Sequence, residues 1–240
     1  MVEFSPLTHL TIVSAMAIVP IYFFVTYRSA GVTTSAACRL TMAVVGFGAL
    51  TTTFVASWQF SFDDPYVVPG VMLASLAVPT VVVLRWRTAF VPDGIGLPWL
   101  VGVQAFRVIG GLYLLEHTRG NVGTAFAWWA GIGDVVTGVA ASALLVVQWR
   151  TGRMPPTAVV AMIVFGIADF AWAYGIGVLS FDTPLQVFAV DEVHATNRFS
   201  LAMIPFLLAP VAMAFMVMTL IVLGRDRARA VETGESTPPA

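Results

Sequence analysis

Residues 124–148 read TAFAWWAGIGDVVTGVAASALLVVQ, an apolar run in which Asp134 carries the single charge. A helix of about 20 residues crosses the ~30 Å hydrocarbon layer of a bilayer, and this run is long enough to do so. Six other apolar runs of similar length lie along the chain. Together the seven runs occupy residues 7–27, 40–60, 66–84, 97–115, 124–148, 157–180 and 200–224.

The composition points to the same class of protein. Hydrophobic residues make up 58% of the chain and charged residues 10%, and the mean hydropathy is +0.88. A soluble domain contains about 45–50% apolar residues. We therefore predict an all-α integral membrane protein with a seven-helix transmembrane domain at residues 1–224 and a disordered cytoplasmic tail at 225–240. The expected location is the bacterial cytoplasmic membrane, with the lipid bilayer as the main partner.

The arginines predict how the bundle is oriented. The chain contains no lysine, and loop cations remain on the cytoplasmic side of a membrane. The connections between the predicted helices alternate between the two sides of the membrane. One set of connections carries Arg28, Arg39, Arg85, Arg87, Arg150, Arg153, Arg225, Arg227 and Arg229, and the other set carries only Arg119 and Arg198. This asymmetry predicts an N-terminus outside and a C-terminus inside the cell.

Several kinds of chemistry are excluded by residues that are missing. The lone Cys38 permits no internal disulfide, no cysteine metal cluster and no redox chemistry by thiol pairs. Haem across the membrane is not expected, because no histidine lies near the middle of an apolar run. The formal net charge of −1 and the lack of a basic stripe argue against nucleic acid as a partner. We predict no cofactor, and the sequence leaves oligomerisation open.

Arg107, Asp134 and Asp169 each lie near the middle of a different apolar run. A charged group at a helix centre costs about 2.5–3.5 kcal/mol when it inserts into a membrane, so the three should face each other inside the bundle. Arginine keeps its proton and favours a bidentate pair with one carboxylate. The second carboxylate leaves an excess negative charge, which must take a proton, bind a cation or reach water. The sequence does not say which aspartate pairs with Arg107.

Other residues share helix faces with these charges. Gly111 follows Arg107 by four positions, and the further polar or aromatic neighbours lie three residues from one of the charges. The predicted polar midplane site therefore consists of Arg107, Asp134, Asp169, Gln104, Thr137 and Trp172.

Such a site favours proton-linked transport or small-ligand sensing over an enzymatic function, since intramembrane ionisable residues are functional by default. Three alternatives remain open. The charges can form a clasp that only fixes the helix arrangement, or the chain can be a noncatalytic subunit of a larger membrane complex. It can also be an intramembrane hydrolase that uses the two aspartates or a metal at the outer face.

Three histidines are weak candidates for that outer metal. His9, His117 and His194 all fall at the predicted outer ends of helices or in the outer loop, with Asp191 close to the last of them. Imidazole and carboxylate groups bind zinc or copper. No paired spacing requires a metal here, so histidines at the level of the lipid headgroups are the favoured interpretation.

Gly131-Ile132-Gly133-Asp134 resembles the Gly-x-Gly-Asp element of intramembrane aspartyl proteases such as presenilin and signal peptide peptidase. That resemblance implies two aspartates that share a proton. Those families carry their other aspartate in a Tyr-Asp element on the preceding helix and a later Pro-Ala-Leu element. Here Asp169 follows Ala168 on the next helix, and no Pro-Ala-Leu is present.

Two broader likenesses concern the whole bundle. Seven helices with an arginine and two aspartates at depth are similar to the microbial rhodopsins, but the chain lacks the lysine that would bind retinal as a Schiff base. Arg107 with Gly110 and Gly111, followed by Phe126-Ala127 and the segment 130–134, resembles uncharacterised bacterial multi-spanning membrane proteins. This second resemblance implies a multi-spanning fold and carries no activity.

Overall fold

The computed structural model describes residues 4–58, 66–188 and 198–233, which form helices joined by short connections without any strand. Within these ranges, seven helices are long and apolar enough to cross a membrane, as the sequence predicts. A single turn, Arg87–Phe90, separates the third from the fourth. The seven are α1 (Pro6–Ser29), α2 (Thr34–Trp58), α3 (Val67–Arg85), α4 (Leu97–Thr118), α5 (Thr124–Thr151), α6 (Pro156–Leu179) and α7, a π-helical turn Ile204–Leu208 that continues as Ala209–Thr233.

Local chemistry explains where these helices begin and end. The Ser5 side chain caps α1 by accepting a hydrogen bond from the Thr8 amide at 3.0 Å, which satisfies one of the free N–H groups of the first turn. The C-terminal end of α5 has a different cap. This helix ends before Gly152, whose φ of 70° lies in the left-handed region. Glycine adopts this conformation without a Cβ clash.

The last helix is longer than predicted. The sequence places the start of a disordered tail at residue 225, whereas α7 remains helical to Thr233. Arginine and alanine favour helix, and the Arg225 and Arg229 guanidinium groups both reach the Asp93 carboxylate, at 3.1 and 3.0 Å. That pairing fixes the first turns of the predicted tail against the connection before α4. The remainder of the tail, 234–240, lies outside the described residues.

The helices are buried to very different degrees. In its most apolar window α7 has 72% of its residues buried, against 11% for α2. Consistent with this, α7 packs against α3, α4 and α6, while α2 packs mainly on α1. Large apolar side chains of α2 such as Met42 and Leu50 are 64% and 69% exposed. The core therefore lies around α7, and α4, α5 and α6 pack against one another beside it.

The fourth helix changes its winding at the centre. Its segment Val103–Gly110 is a 3₁₀-helix between two α-helical pieces, Leu97–Gly102 and Gly111–Thr118. A 3₁₀-helix has three residues per turn, so side chains three positions apart lie directly above one another. Gln104, Arg107 and Gly110 are consequently all buried on one face. The α-helical spacing predicted from sequence had placed Gly111 on that face, and the tighter winding puts Gly110 there instead.

The π-helical turn that opens α7 depends on a side chain from α6. In this turn the Ala209 amide donates to the carbonyl of Ile204, five residues earlier. The next carbonyl in the same pattern, that of Pro205, would need an N–H from Pro210, which has none. The Tyr174 hydroxyl donates to this carbonyl. A tyrosine on α6 thus replaces the missing backbone donor of α7.

Replacing Tyr174 by phenylalanine should destabilise the fold, because the buried Pro205 carbonyl would lose its donor. An unsatisfied buried acceptor costs about 1–3 kcal/mol, so the midpoint of thermal unfolding in detergent should fall. Tyr66→Phe is the matched control, since the Tyr66 side chain is 55% exposed. Equal midpoints for the two variants would contradict the role assigned to Tyr174.

Candidate functional site

A single guanidinium group joins three helices at the centre of the bundle. Arg107, on the 3₁₀ segment of α4, is 2% exposed. Its Nε donates to Asp134 Oδ1 of α5 at 2.6 Å, and its Nη2 donates to Asp169 Oδ2 of α6 at 2.6 Å. The prediction that Arg107 lies within hydrogen-bonding distance of an aspartate inside the bundle is confirmed. The expected bidentate pair with one carboxylate is wrong, because the two carboxylates share one edge of the guanidinium.

Apolar and small groups enclose the rest of the guanidinium. Its central carbon lies 3.8 Å from the centroid of the Phe170 ring, a distance typical of cation–π stacking. Arg107 Nη1 lies 3.9 Å from Met216 Sδ of α7, and a Cβ atom added to Gly166 would stand 2.6 Å from Nη1. The pocket therefore fits a flat group with several donors, which lysine cannot supply.

Two glycines let the carboxylates come this close. A Cβ atom on Gly110 of α4 would overlap the Asp134 side chain, and a Cβ on Gly133 of α5 would overlap the Asp169 carboxylate. The second glycine belongs to the Gly-Ile-Gly-Asp segment. Its position beside Asp169 gives that segment a packing role that is independent of any likeness to proteases.

The cluster holds one positive and two negative formal charges, and both aspartate side chains are nearly buried. Asp134 is 10% exposed and Asp169 is 6% exposed, so exposure does not separate them. Neither has a second hydrogen bond: Asp134 Oδ2 and Asp169 Oδ1 find no partner among the described residues. An ionised carboxylate in this environment lacks the compensation it would have in water.

The spaces next to the two aspartates do separate them. Asp134 borders a cavity of 20 Å³ whose other walls include the buried side chains of Tyr113 and Phe170. Such a space is about the size of one water molecule. Asp169 borders a groove of 520 Å³ between α5 and α6, on the outer surface of the bundle. Asp169 is therefore the aspartate that adjoins a space large enough for a ligand.

The three other residues predicted for the site, Gln104, Thr137 and Trp172, lie in different environments. Gln104 is buried, and its Nε2 donates to the Ala212 carbonyl of α7 at 3.0 Å, while its Oε1 is buried without a partner in the described parts of the chain. Thr137 is buried too, but its hydroxyl bonds to the Gly133 carbonyl of its own helix at 2.9 Å. Trp172 is 53% exposed and forms a wall of the outer groove, so its predicted place inside the bundle is wrong.

The predicted outer metal ligands are only partly within the described residues. His9 Nδ1 lies 3.0 Å from Ser200 Oγ, and His117 Nδ1 lies 2.8 Å from the Val122 carbonyl oxygen. Asp191 and His194 fall outside the described residues. Within the described ranges, no group of three metal-ligating side chains comes together.

Sequence reasoning missed a third buried carboxylate, Glu116 at the end of α4. It is fully buried and accepts hydrogen bonds from the Ser5 amide at 3.1 Å, from Asn121 Nδ2 at 2.7 Å and from the Thr8 hydroxyl. The first turn of α1 contains no acidic residue of its own, and Glu116 provides one from another helix, where it complements the helix dipole. The Ser5-x-x-Thr8 cap without a local acid was the available signal.

A family model described as Domain of unknown function (DUF8737) matches residues 95–224, more than half of the chain. The chain belongs to this family. The matched segment begins just before α4 and includes α5, α6 and most of α7, so it contains all three members of the charge cluster. No curated protein and no solved structure matches the chain.

The shared guanidinium predicts a strongly non-additive pair of substitutions in this DUF8737 segment. Asp134→Asn or Asp169→Asn leaves Arg107 one carboxylate, so each single variant should lose less than about 1.5 kcal/mol of folding free energy. The double variant leaves a buried cation without a counter-charge, which typically costs about 3–5 kcal/mol. Unfolding of the four proteins in detergent measures the difference.

Asp93→Asn is a suitable control in the same experiment, because Asp93 pairs with arginines at the surface and is 81% exposed. Exposed ion pairs contribute little to stability. A double variant whose loss equals the sum of the two single losses would show that Arg107 does not bridge the carboxylates in the folded protein.

Proposed function

We propose that this chain is an integral membrane protein whose Arg107–Asp134–Asp169 cluster serves proton-linked transport or small-ligand sensing. The observation that carries the proposal is the sharing of one buried guanidinium by two carboxylates, of which Asp169 adjoins an open groove. The chain would lie in the bacterial cytoplasmic membrane with its N-terminus outside.

Contacts between connections support a common side for the arginine-rich ends. A Cβ atom on Gly94, in the connection before α4, would overlap the Ala30 carbonyl at the end of α1, and Arg225 of α7 donates to the Pro92 carbonyl at 3.3 Å. These contacts support a common side for the end of α1, the connection before α4 and Arg225. A cluster of loop arginines on one side is the pattern that marks the cytoplasmic face.

The charge imbalance supports exchange at Asp169. Arg107 compensates one carboxylate, and a second ionised carboxylate in a low-dielectric interior favours the uptake of a proton or another cation. Asp134 borders a water-sized cavity, so it is the fixed partner of Arg107. Asp169 adjoins the groove, so it is the carboxylate that binds and releases the proton or other cation.

Exchange at Asp169 would also alter the hydrogen bonds of Arg107. A neutral Asp169 accepts a weaker hydrogen bond than an ionised one. The Nε and Nη2 donors would then favour Asp134, which can accept both as a bidentate pair. The position of α4 relative to α6 would thereby depend on the charge of Asp169, as coupling to transport or sensing requires.

Aspartyl hydrolysis is less well supported by this geometry. Each carboxylate is hydrogen-bonded to a different nitrogen of Arg107, so the guanidinium and not a shared proton joins the two groups. The aspartyl proteases need one proton shared by the two groups. A noncatalytic subunit would require a binding surface for a larger complex, and a purely structural clasp would require no exchange at Asp169.

Reporter fusions test the proposed orientation. A reporter fused after Arg229 should be active in the cytoplasm, and one fused ahead of Glu3 should be active outside it, because the arginines lie in alternate connections. A fusion in the connection at 152–155 is the internal control and should also report the cytoplasm. Labelling with the opposite polarity would reverse the proposed topology.

Infrared difference spectroscopy tests the proposed exchange. The purified protein in lipid nanodiscs should show a protonated-carboxyl band that appears as the pH is lowered and disappears as it is raised. Asp169→Asn should remove this band, because Asp169 adjoins the groove. Asp134→Asn should retain the band but move it to lower pH, because Asp169 is then the single carboxylate that Arg107 compensates. A band that survives in Asp169→Asn and vanishes in Asp134→Asn would reverse the two roles, and no band at any pH would leave only the clasp.

A further inference from the structure

The groove beside Asp169 is bounded mainly by aromatic side chains. It has a volume of 520 Å³, and small residues, Gly133 and Ala168, form part of its floor. Pockets of about 300–1,000 Å³ are typical for small organic ligands. Its larger lining residues are Trp128, Trp129, Ile132, Phe165, Asp169 and Trp172.

The tryptophans present their rings to the groove without being buried by the protein. Trp128, Trp129 and Trp172 are 53%, 61% and 53% exposed. The rings of Trp129 and Trp172, which both line the groove, meet edge to face with centroids 5.9 Å apart. Tryptophan is the aromatic side chain that binds organic cations best through its ring face. Tryptophans that serve only as membrane-interface anchors would not need a carboxylate beside them.

Charge selects the ligand that this groove can hold. The cluster behind it has a formal excess of one negative charge, and among the described residues that line the groove Asp169 is the one with a charged side chain. A ligand with a positive centre near Asp169 would supply the missing counter-charge. A metal ion is a poor fit, because calcium requires six or more oxygen ligands and the other lining side chains carry none.

The position of the groove selects an amphiphilic ligand. It opens sideways on the outer surface of α5 and α6, where apolar side chains such as Val136 and Phe165 are 45% and 46% exposed. Under the proposed function this surface faces lipid, so the ligand would arrive from the membrane. It would need an apolar body to lie along the rings and a cationic centre to reach Asp169.

We propose that the groove between α5 and α6 binds an amphiphilic organic cation, such as a quaternary ammonium or phosphonium ion, beside Asp169. This inference rests on the proposed function and names its ligand class. The cation and a proton compete for Asp169, so bound cation replaces the proton in the exchange. The titratable groups that face Asp169 are Arg107 and Tyr113 of α4 and Asp134 of α5.

Equilibrium binding of tritiated tetraphenylphosphonium to the full chain in neutral phosphatidylcholine nanodiscs tests the inference. Binding should saturate, should be displaced by dodecyltrimethylammonium, and should not be displaced by dodecanol or dodecyl sulfate. Asp169→Asn should weaken it by about tenfold or more, because one partner of a charge pair is lost. Trp172→Leu should weaken it by about two- to thirtyfold, the range of a cation–π contact.

Trp149→Leu is the matched control, since Trp149 is 83% exposed near the opposite end of α5 and should leave binding unchanged. Binding to the wild type should weaken as the pH falls, and this dependence should be absent in Asp169→Asn. Trp172→Leu alters only a half-exposed side chain, so it still decides the matter if Asp169→Asn does not fold.

The two proposals fail in different ways. Binding that does not saturate, that dodecanol displaces equally well, or that all variants retain would overturn the cation site. If Asp169 still shows its pH-dependent infrared band in that case, the proton exchange stands without the cation. If the band is absent but saturable cation binding depends on Trp172 and Asp169, the groove binds cations and the proton-linked part of the proposed function fails.

Discussion

The bundle depends on the need to compensate one buried guanidinium. Arg107 has lost its water, so three helices must bring polar groups to it at the same depth. Both carboxylates reach it through hydrogen bonds of 2.6 Å, and glycines rather than larger residues stand where the helices approach. The close packing of α4 on α5 and of α5 on α6 is the structural result of this requirement.

Satisfying the arginine leaves a second problem, because two carboxylates provide more charge than one guanidinium can compensate. The two carboxylates lie at the same distance from Arg107 and differ in the space that surrounds them. A space of 20 Å³ beside Asp134 and one of 520 Å³ beside Asp169 give the same functional group two different environments. The two aspartates thus become candidates for different roles, as in other sites where two carboxyl groups differ in protonation because their surroundings differ.

The sequence predicted the parts of this arrangement that follow from the cost of buried charge. Any fold of these helices must pair Arg107 with an aspartate, so that contact was predictable without knowing the winding of α4. The shared guanidinium was not, because it depends on the 3₁₀ register that places Gly110 next to Asp134. Trp172 was misplaced because Asp169 lies at the edge of the buried face of α6: Gly166, Phe170 and Ala173 are buried to one side of it, and Trp172 lies about 60° to the other side.

Other features needed information that no local pattern contains. Glu116 and Ser5 are far apart in sequence, and nothing in either neighbourhood names the other as its partner. The arginines at the helical start of the predicted tail pair with Asp93, in the connection before α4. The Tyr174 hydroxyl finds the Pro205 carbonyl only because α6 and α7 pack side by side. Each of these contacts joins segments that fold next to one another for reasons of apolar burial.

The 3₁₀ segment makes α4 a stretched helix held at both ends. A 3₁₀-helix rises about 2.0 Å per residue and an α-helix about 1.5 Å, so the eight residues of Val103–Gly110 make α4 about 4 Å longer than a uniform α-helix. One end is anchored through Glu116 to Ser5, and the other through the Trp99 carbonyl, which accepts from the Tyr22 hydroxyl at 2.7 Å. Tyr22 lies in α1 and Ser5 is its N-cap, so the length of α1 fixes the distance between the two anchored ends of α4. Rewinding the centre to an α-helix would turn its ends by about 160° relative to each other, so it would require one of these anchors to break.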